Sequence, residues 1–522
     1  MATFEVMNRV VRPLRSEGRQ TGSDDRDTAS TPDALSWILS GFLVLSTSGT
    51  LALFDSRLIH WFLIPVTICG VLITVDAVEW LRRRTDIFDP KSMLGLLGVH
   101  FFYTAPILNV MLDAWPRYLA TSSDWRRALG IMALLNVVGL GIYRLFLDSR
   151  PGARRHLLRH RRELAERRFI RIGMLATGIG VLAFLLEFVM FGGLSGFISV
   201  MTGDRSALAG MGWLLIAAET FPLMAFMVAV VRWRDRLAQR KSYALLLLLA
   251  LAIAQFFVGG LRGSRTNTMW PVLLGLILVH LMLFRISRKS LVVCLLVFGV
   301  FTYLYGLYKS AGLEVLDIAR GTRTIEQIST ETGRDLPTLL LQDIGRADIQ
   351  ALVLERQSQG YGELGYGVTY VGGASVLVPR VLLPERPSDK VSIGTDLTVG
   401  AGAYDSGLRS AVVYGMAGEA TLNFGPAGAV ASFVLLGWLI RLFRRQYVRA
   451  SSGSALAPKL IAPMVCLTAV IAPSGDFDNH LWYLLKFVLP YVAVVLLASS
   501  TWPTWTMGRS RRPVAGRHRP GR

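Results

Sequence analysis

Gly259-Gly260-Leu261-Arg262-Gly263-Ser264-Arg265-Thr266-Asn267-Thr268-Met269-Trp270-Pro271 separates two apolar runs, Ser242 to Val258 before it and Pro271 to Phe284 after it. Each run is about the length that crosses a hydrocarbon core. The hinge between them carries two arginines, three glycines and four hydroxyl or amide side chains. A guanidinium at the membrane edge costs free energy unless it is solvated or meets an anion. Glycines let the backbone approach a ligand closely, and an arginine fork matches phosphate oxygens. Two readings stand side by side. Arg262 and Arg265 either clamp the anionic head group of a lipid substrate, pyrophosphate by its charge, or snorkel to bulk lipid phosphates.

Working outward, the whole chain has the same alternation. It is 52% hydrophobic and 18% charged, with a mean hydropathy of +0.45. Its apolar blocks are too long for the core helices of a soluble domain, so the fold class is an all-α polytopic membrane protein. The blocks fall at 34–54, 58–78, 92–112, 128–147, 172–191, 208–231, 242–260, 268–284, 290–308, 414–440, 460–475 and 480–500, about twelve crossings. The formal charge of +20 resides mostly in arginine clusters between blocks, as topology requires, so a nucleic-acid partner is an unneeded hypothesis. Cys69, Cys294 and Cys466 lie in apolar blocks without CxxC or Cys/His spacing, which gives neither a disulfide framework nor a metal site.

The connectors set orientation. Arg82-Arg83-Arg84, Arg150–Arg171, Arg232–Lys241, Arg285–Lys289, Arg441–Arg449 and the tail Arg509–Arg522 are basic and share one side. The positive-inside rule makes that side the cytosol, with both termini there. Asp113–Arg127 fits less cleanly, because it falls outside yet carries Arg117, Arg126 and Arg127. The Arg150–Arg171 run suits either a topology anchor or an amphipathic helix on anionic lipid. The expected organisation is a disordered cytosolic tail at 1–33, nine crossings over 34–308, a large outer loop at 309–413, three crossings over 414–500 and a basic tail at 501–522.

The same alternation puts Arg262 and Arg265 outside, against the rule, together with the loop 309–413. At roughly a hundred residues that loop is too long for a passive connector. Leu336, Leu339, Leu340, Ile344, Ile349, Leu352 and Leu354 are spaced for one apolar helical stripe. Gly360 to Tyr404, rich in Gly, Tyr, Val and Pro, reads as irregular loop.

Chemistry-bearing residues gather on the outer side. Val378-Pro379-Arg380-Val381-Leu382-Leu383-Pro384-Glu385-Arg386-Pro387 is a rigid segment presenting Arg380 and Arg386. They join Arg262 and Arg265 as phosphate-binding candidates, or else pair with Glu385 and Asp389. Glu419 and Asn423, four apart at the start of the tenth crossing, share a helix face. An apolar context makes Glu419 a candidate general base, or the partner of an arginine that holds the loop. Glu187 and Glu219 also sit in apolar blocks, as candidates to neutralise Arg205, Arg262 or Arg265. Asp476-Phe477-Asp478-Asn479-His480 suits a cation, a sugar or a solvated turn. Asn423, Asp396, Asp478 and His480 are the candidate sugar contacts.

Four places carry a resemblance to a known family: Gly192-Gly193-Leu194 followed by Arg205, the hinge Arg262–Arg265, Pro379-Arg380 with Pro384-Glu385-Arg386-Pro387, and Gly418-Glu419-Ala420-Thr421-Leu422-Asn423-Phe424-Gly425. The last two are similar to the "PR…P.[KR]P" and "GE…NFG" patterns of bacterial oligosaccharide repeat-unit polymerases, the Wzy-type O-antigen and exopolysaccharide polymerases. The resemblance runs from about the fifth crossing to the tenth. It implies a GT-C-like glycosyltransferase of the bacterial inner membrane. Such an enzyme moves a growing glycan from undecaprenyl pyrophosphate onto a lipid-linked repeat unit, on the outer face. No metal and no cofactor are implied; a chain-length regulator protein is an implied partner. By the same resemblance Arg262, Arg265 and Arg380, with Arg386, would hold the pyrophosphate, and Glu419 would activate the acceptor, with Arg265 counted in the catalytic set. An O-antigen ligase and, behind it, a lipid-linked glycan flippase are the alternatives. The hinge itself contains no acidic residue.

Overall fold

The computed structural model describes residues 32–116, 119, 121–148, 163–202, 211–261, 264–333, 335–378, 382–410 and 412–500. Several expectations therefore fall on residues outside the described ones: the two tails, most of the Arg150–Arg171 run, Arg205, Arg262 and Arg380. Among the described residues every regular element is helical except a two-residue antiparallel pair, Glu163–Leu164 with Ser499–Ser500.

Eleven helices are long and apolar enough to cross a membrane: Ala34–Phe54, Leu63–Leu81, Pro90–Leu112, Trp125–Leu147, Glu166–Met190, Gly212–Arg232, Lys241–Gly260, Arg288–Tyr308, Gly415–Ser452, Leu456–Ser474 and Phe477–Ala498. The chain is an all-α, multi-span membrane protein. The remaining apolar block, 268–284, lies in the helix Arg265–Met282. That helix has 18 residues, and its first turn is polar, which shortens its apolar part. It runs through the interior, with Leu274 and Leu278 fully buried.

Lipid as solvent inverts the usual amphipathic logic. The first helix turns Ile38, Phe42, Leu45 and Leu53 outward and buries Ser36, Ser40 and Ser48. The hydroxyls bond across helices: Ser40 Oγ donates to Val71 O at 2.9 Å, and Ser48 Oγ lies 2.9 Å from the Tyr103 hydroxyl. Small residues let helices approach closely. Glu166–Met190 packs on Gly212–Arg232, where a Cβ on Gly180 would meet Phe221 Cβ at 2.6 Å.

Charges buried on the arginine-rich side are paired, as burial demands. Asp76 meets Arg144 at 2.8 Å and Lys91 at 3.2 Å, and Lys91 also meets Glu79 at 2.8 Å. Asp89 binds Arg444 at 3.0 Å, and Asp86 accepts from the Tyr447 hydroxyl at 2.6 Å and from Arg285 at 2.9 Å. The bonds of Asp86 and Asp89 tie the 82–89 connector to the helix Gly415–Ser452 and to Arg285.

The segment 309–413 rests on the opposite end of the bundle. Its apolar stripe does not form one continuous helix. Thr338–Gly345 is wound as a π-helix and Ala347–Ser358 as an α-helix, with Arg346 between them at φ 99°. Leu339, Leu341, Ile349, Leu352 and Leu354 are buried, whereas Leu336 is exposed. Leu341, Ala351 and Leu354 pack against Ala105, Val110 and Leu129 of the bundle. Gly360 to Tyr404 is not wholly irregular either. It contains the helices Val368–Ser375 and Lys390–Thr398, the second capped by Asp389 accepting from Val391 N and Ser392 N at 3.0 Å. One carboxylate taking two free amides is enough to start a short helix that residue spacing does not announce.

Candidate functional site

The helix Gly415–Ser452 is broken at Gly425, which adopts φ 65° and ψ −156° immediately before Pro426. Pro426 has no N–H to offer the carbonyl four residues back. That carbonyl, Leu422 O, instead accepts from Gly365 N at 3.1 Å, and Asn423 O accepts from Tyr366 N at 2.9 Å. The kink thus becomes a docking edge for the loop.

Glu419 and Asn423 face this edge, both buried. Asn423 Oδ1 accepts from Gly367 N at 2.9 Å, and its Nδ2 donates to Thr369 Oγ1 at 2.7 Å. Glu419 Oε1 accepts from the Thr369 hydroxyl at 3.0 Å, and Oε2 accepts from Phe477 N at 2.6 Å. Among the described residues the carboxylate therefore meets a hydroxyl and an amide and no arginine.

Phe477 lies between two aspartates that share one cation. The ammonium of Lys390 binds Asp476 and lies 2.7 Å from Asp478. Asp476 is fully buried and also accepts from Gly415 N at 2.7 Å. Burial by itself depresses the Lys390 ammonium, but Asp476 and Asp478 outweigh it and raise its pKa, so the ion pair holds. Asp478 is thus committed through one oxygen to Lys390. His480 stays beside this cluster: its backbone donates to Asp476 O at 3.0 Å, and its ring packs against Gly475.

Arg265 opens the helix Arg265–Met282, and its guanidinium donates to Asp343 at 2.8 Å. The acid missing from the hinge is supplied by the loop. Arg346 is half-buried nearby, its Nε donating to Ser474 O at 3.3 Å and its Nη1 to Gln342 O. Burial pulls its pKa down against the fields of Asp476, Asp348 and Asp343, and Arg265 adds to the downward pull. One layer of charge thus runs from Arg265 and Asp343 through Arg346 to Asp476, Lys390 and Asp478, with Glu419 bonded to the chain between the two aspartates. A cavity of about 20 Å³ beside Arg346 is lined by Phe101, Phe102, Gln350, Tyr414 and Phe433. It has room for one water molecule.

Two other candidates lie apart from these bonds. Arg386 donates to Val378 O at 2.9 Å within its own segment, and Asp396 accepts from Tyr404 N at 2.8 Å in a turn. Asn423 is fully buried and occupied by the loop backbone, a positioning residue with no face left for a sugar. Glu219 binds Lys486 at 2.7 Å and Asn267 at 3.1 Å. Arg265 is bound by Asp343, whereas Arg205 and Arg262, the other arginines expected to meet Glu187 or Glu219, lie outside the described residues. Glu219 Oε2 is served by a lysine 267 positions further on, a distance no local pattern bridges.

Lys390, Thr369, Asp343 and Arg346 escape sequence reasoning. Each is a common residue in a polar segment, and each has a partner 50 or more positions away. The one local signal is Asp389-Lys390, where a helix cap precedes the cation.

Among the described residues no group of three or more His, Cys, Asp or Glu converges as a metal site would. Comparison with protein-family models, curated proteins and solved structures finds no match for this chain.

Proposed function

We propose that this protein is a membrane glycosyltransferase that polymerises undecaprenyl-pyrophosphate-linked oligosaccharide units on the outer face of a bacterial inner membrane. The reading is carried by one observation. Arg265 of the hinge and Glu419 of the broken helix, 154 positions apart in sequence, belong to a single charged layer connected through Arg346 and Asp476. A cation that suits a lipid pyrophosphate and a carboxylate that suits an acceptor hydroxyl are what such a transfer needs at one membrane edge.

In this mechanism the acceptor hydroxyl attacks the anomeric carbon of the donor glycan. The bond from that carbon to the pyrophosphate breaks, and polyprenyl pyrophosphate leaves with the electron pair. Arg265, with Arg262 and Arg380, stabilises the charge that develops on the leaving oxygen. Asp343 holds the Arg265 fork in orientation, and Glu419 receives the hydroxyl proton. Thr369 and Phe477 N fix the carboxylate so that little reorganisation accompanies the step.

The test is complementation of a deletion strain with Glu419→Gln at matched membrane level. The expected result is single lipid-linked units on the outer leaflet and no long polymer. Units retained on the cytosolic leaflet would favour a flippase, and polymer formed but left on its lipid would favour a ligase; either overturns the polymerase reading.

A further inference from the structure

Three aromatic rings border the Glu419 cluster on the loop side. Tyr370 sits edge-on to Phe477 with ring centres 5.5 Å apart, and 6.4 Å from Phe424 at an angle of 31°. Their placement follows from features already described. The break at Gly425 turns Phe424 out of the helix packing, and it is 45% exposed. The Asp476–Lys390 pair fixes the turn that presents Phe477, 38% exposed. The loop backbone passes close to these rings: a Cβ built on Gly367 or Gly373 would be in van der Waals contact, 3.6 Å from Phe424 or 3.4 Å from Phe477. Burial, with the Glu419 charge nearby, raises the Tyr370 phenol, which stays protonated and able to donate.

Beside the rings stands a carboxylate with spare capacity. Asp478 binds Lys390 through Oδ1, whereas its Oδ2 makes no hydrogen bond among the described residues, and the side chain is 29% exposed. We propose that Tyr370 and Phe424, their planes 31° apart, form a stacking platform for a pyranose ring of the acceptor saccharide, with Phe477 standing edge-on as its wall and Asp478 accepting from the sugar hydroxyls. A pyranose offers an apolar C–H face and a rim of hydroxyl donors, which matches flat rings edged by a carboxylate. Rings that merely sat in the bilayer would have the Asp478 charge held against hydrocarbon, which is costly. This platform rests on the glycosyltransferase reading and names the substrate class that its acceptor side would take.

The test uses the full-length protein in phospholipid nanodiscs, free of sugar-based detergent. The probes are methyl glucosides, galactosides, mannosides and rhamnosides, read by saturation-transfer NMR. Transfer to ring C–H protons of at least one glycoside is expected, falling at least fivefold in Phe424→Leu and Phe477→Leu and retained in Phe424→Trp. Leucine keeps the apolar area and removes the flat face, so it separates stacking from general packing. No transfer from any glycoside, or equal transfer in the leucine variants, overturns the platform. So does quenching of a fluorophore on Phe424→Cys, in a Cys294→Ser background, by brominated acyl chains, which would put the ring in lipid. The binding measurement involves no turnover and the polymer assay of Glu419→Gln involves no aromatic residue. Each reading can therefore fail alone.

Discussion

Glu419 Oε2 accepts the backbone N–H of Phe477 at 2.6 Å, joining residues 58 apart in the chain. The bond couples the start of the helix Gly415–Ser452 to the turn before the last membrane span. The same turn holds Lys390 through both of its aspartates, so loop, kinked helix and final span meet around one peptide unit. Any group that moves Phe477 moves the Glu419 carboxylate with it.

Lys390→Met leaves Asp476 as a buried carboxylate without its cation. Breaking one side of a buried pair costs about 3–5 kcal/mol. The variant should unfold at a clearly lower temperature in detergent. Adding Asp476→Asn should restore most of the loss, because asparagine can still accept from Gly415 N. A Lys390→Met protein as stable as the parent would mean that the ammonium is held by solvent.

Asp348 is fully buried with Oδ2 lacking a hydrogen bond among the described residues, and burial pushes its pKa up to about 6. The folded protein therefore binds this proton more tightly than the unfolded chain does. Its favourable contribution is complete below the unfolded value near 4 and disappears as pH rises through about 6. The shift corresponds to roughly 3 kcal/mol. Asp348→Asn should flatten the fall in melting temperature between pH 4.5 and pH 7.5, and an unchanged pH profile would count against the assignment.

Arg265→Lys keeps the charge at the hinge but loses the fork that Asp343 orients. One charge-assisted hydrogen bond contributes about 1.5–3 kcal/mol, and each 1.36 kcal/mol is tenfold in rate. Polymer yield should fall about tenfold or more at matched protein level, and Arg262→Lys should behave likewise. Near-normal polymer from both would reduce these arginines to membrane anchors.

Gly425→Ala forces a side chain into φ 65° and ψ −156°, a region open essentially to glycine alone. The strain is on the order of 1–3 kcal/mol. Loss should appear in loop protection as well as in melting temperature, since Gly365 N and Tyr366 N dock at this kink. Hydrogen exchange at Gly365 and Tyr366 is the direct readout, and protection equal to the parent's would contradict the coupling.

Reporter fusions within 388–398 should report the outer side. The arginine-rich connectors lie at the other end of the helices, where Arg144 and Arg444 take part in buried pairs. A cytosolic signal from these fusions would invert the orientation and remove the proposed site from the outer face.

The membrane class and most spans could be read from hydropathy, because a run of apolar side chains is selected by a local transfer free energy that each residue contributes independently of its distant neighbours. Pro426 and Gly425 likewise announce a break, since both act on their own backbone. Glu419 stood out for a similar reason, as a carboxylate in an apolar stretch. Its partners did not. Thr369 and Lys390 reach it or its turn only through folding of the 309–413 segment, Phe477 N reaches it across 58 positions, and Asp343 reaches Arg265 across 78 positions. Ion pairs and hydrogen bonds depend on distances of a few ångströms between side chains, and sequence separation carries no such distance. Tertiary structure alone therefore decided which acid serves Arg265, which cation sustains Asp476 and Asp478, and which rings stand beside Glu419.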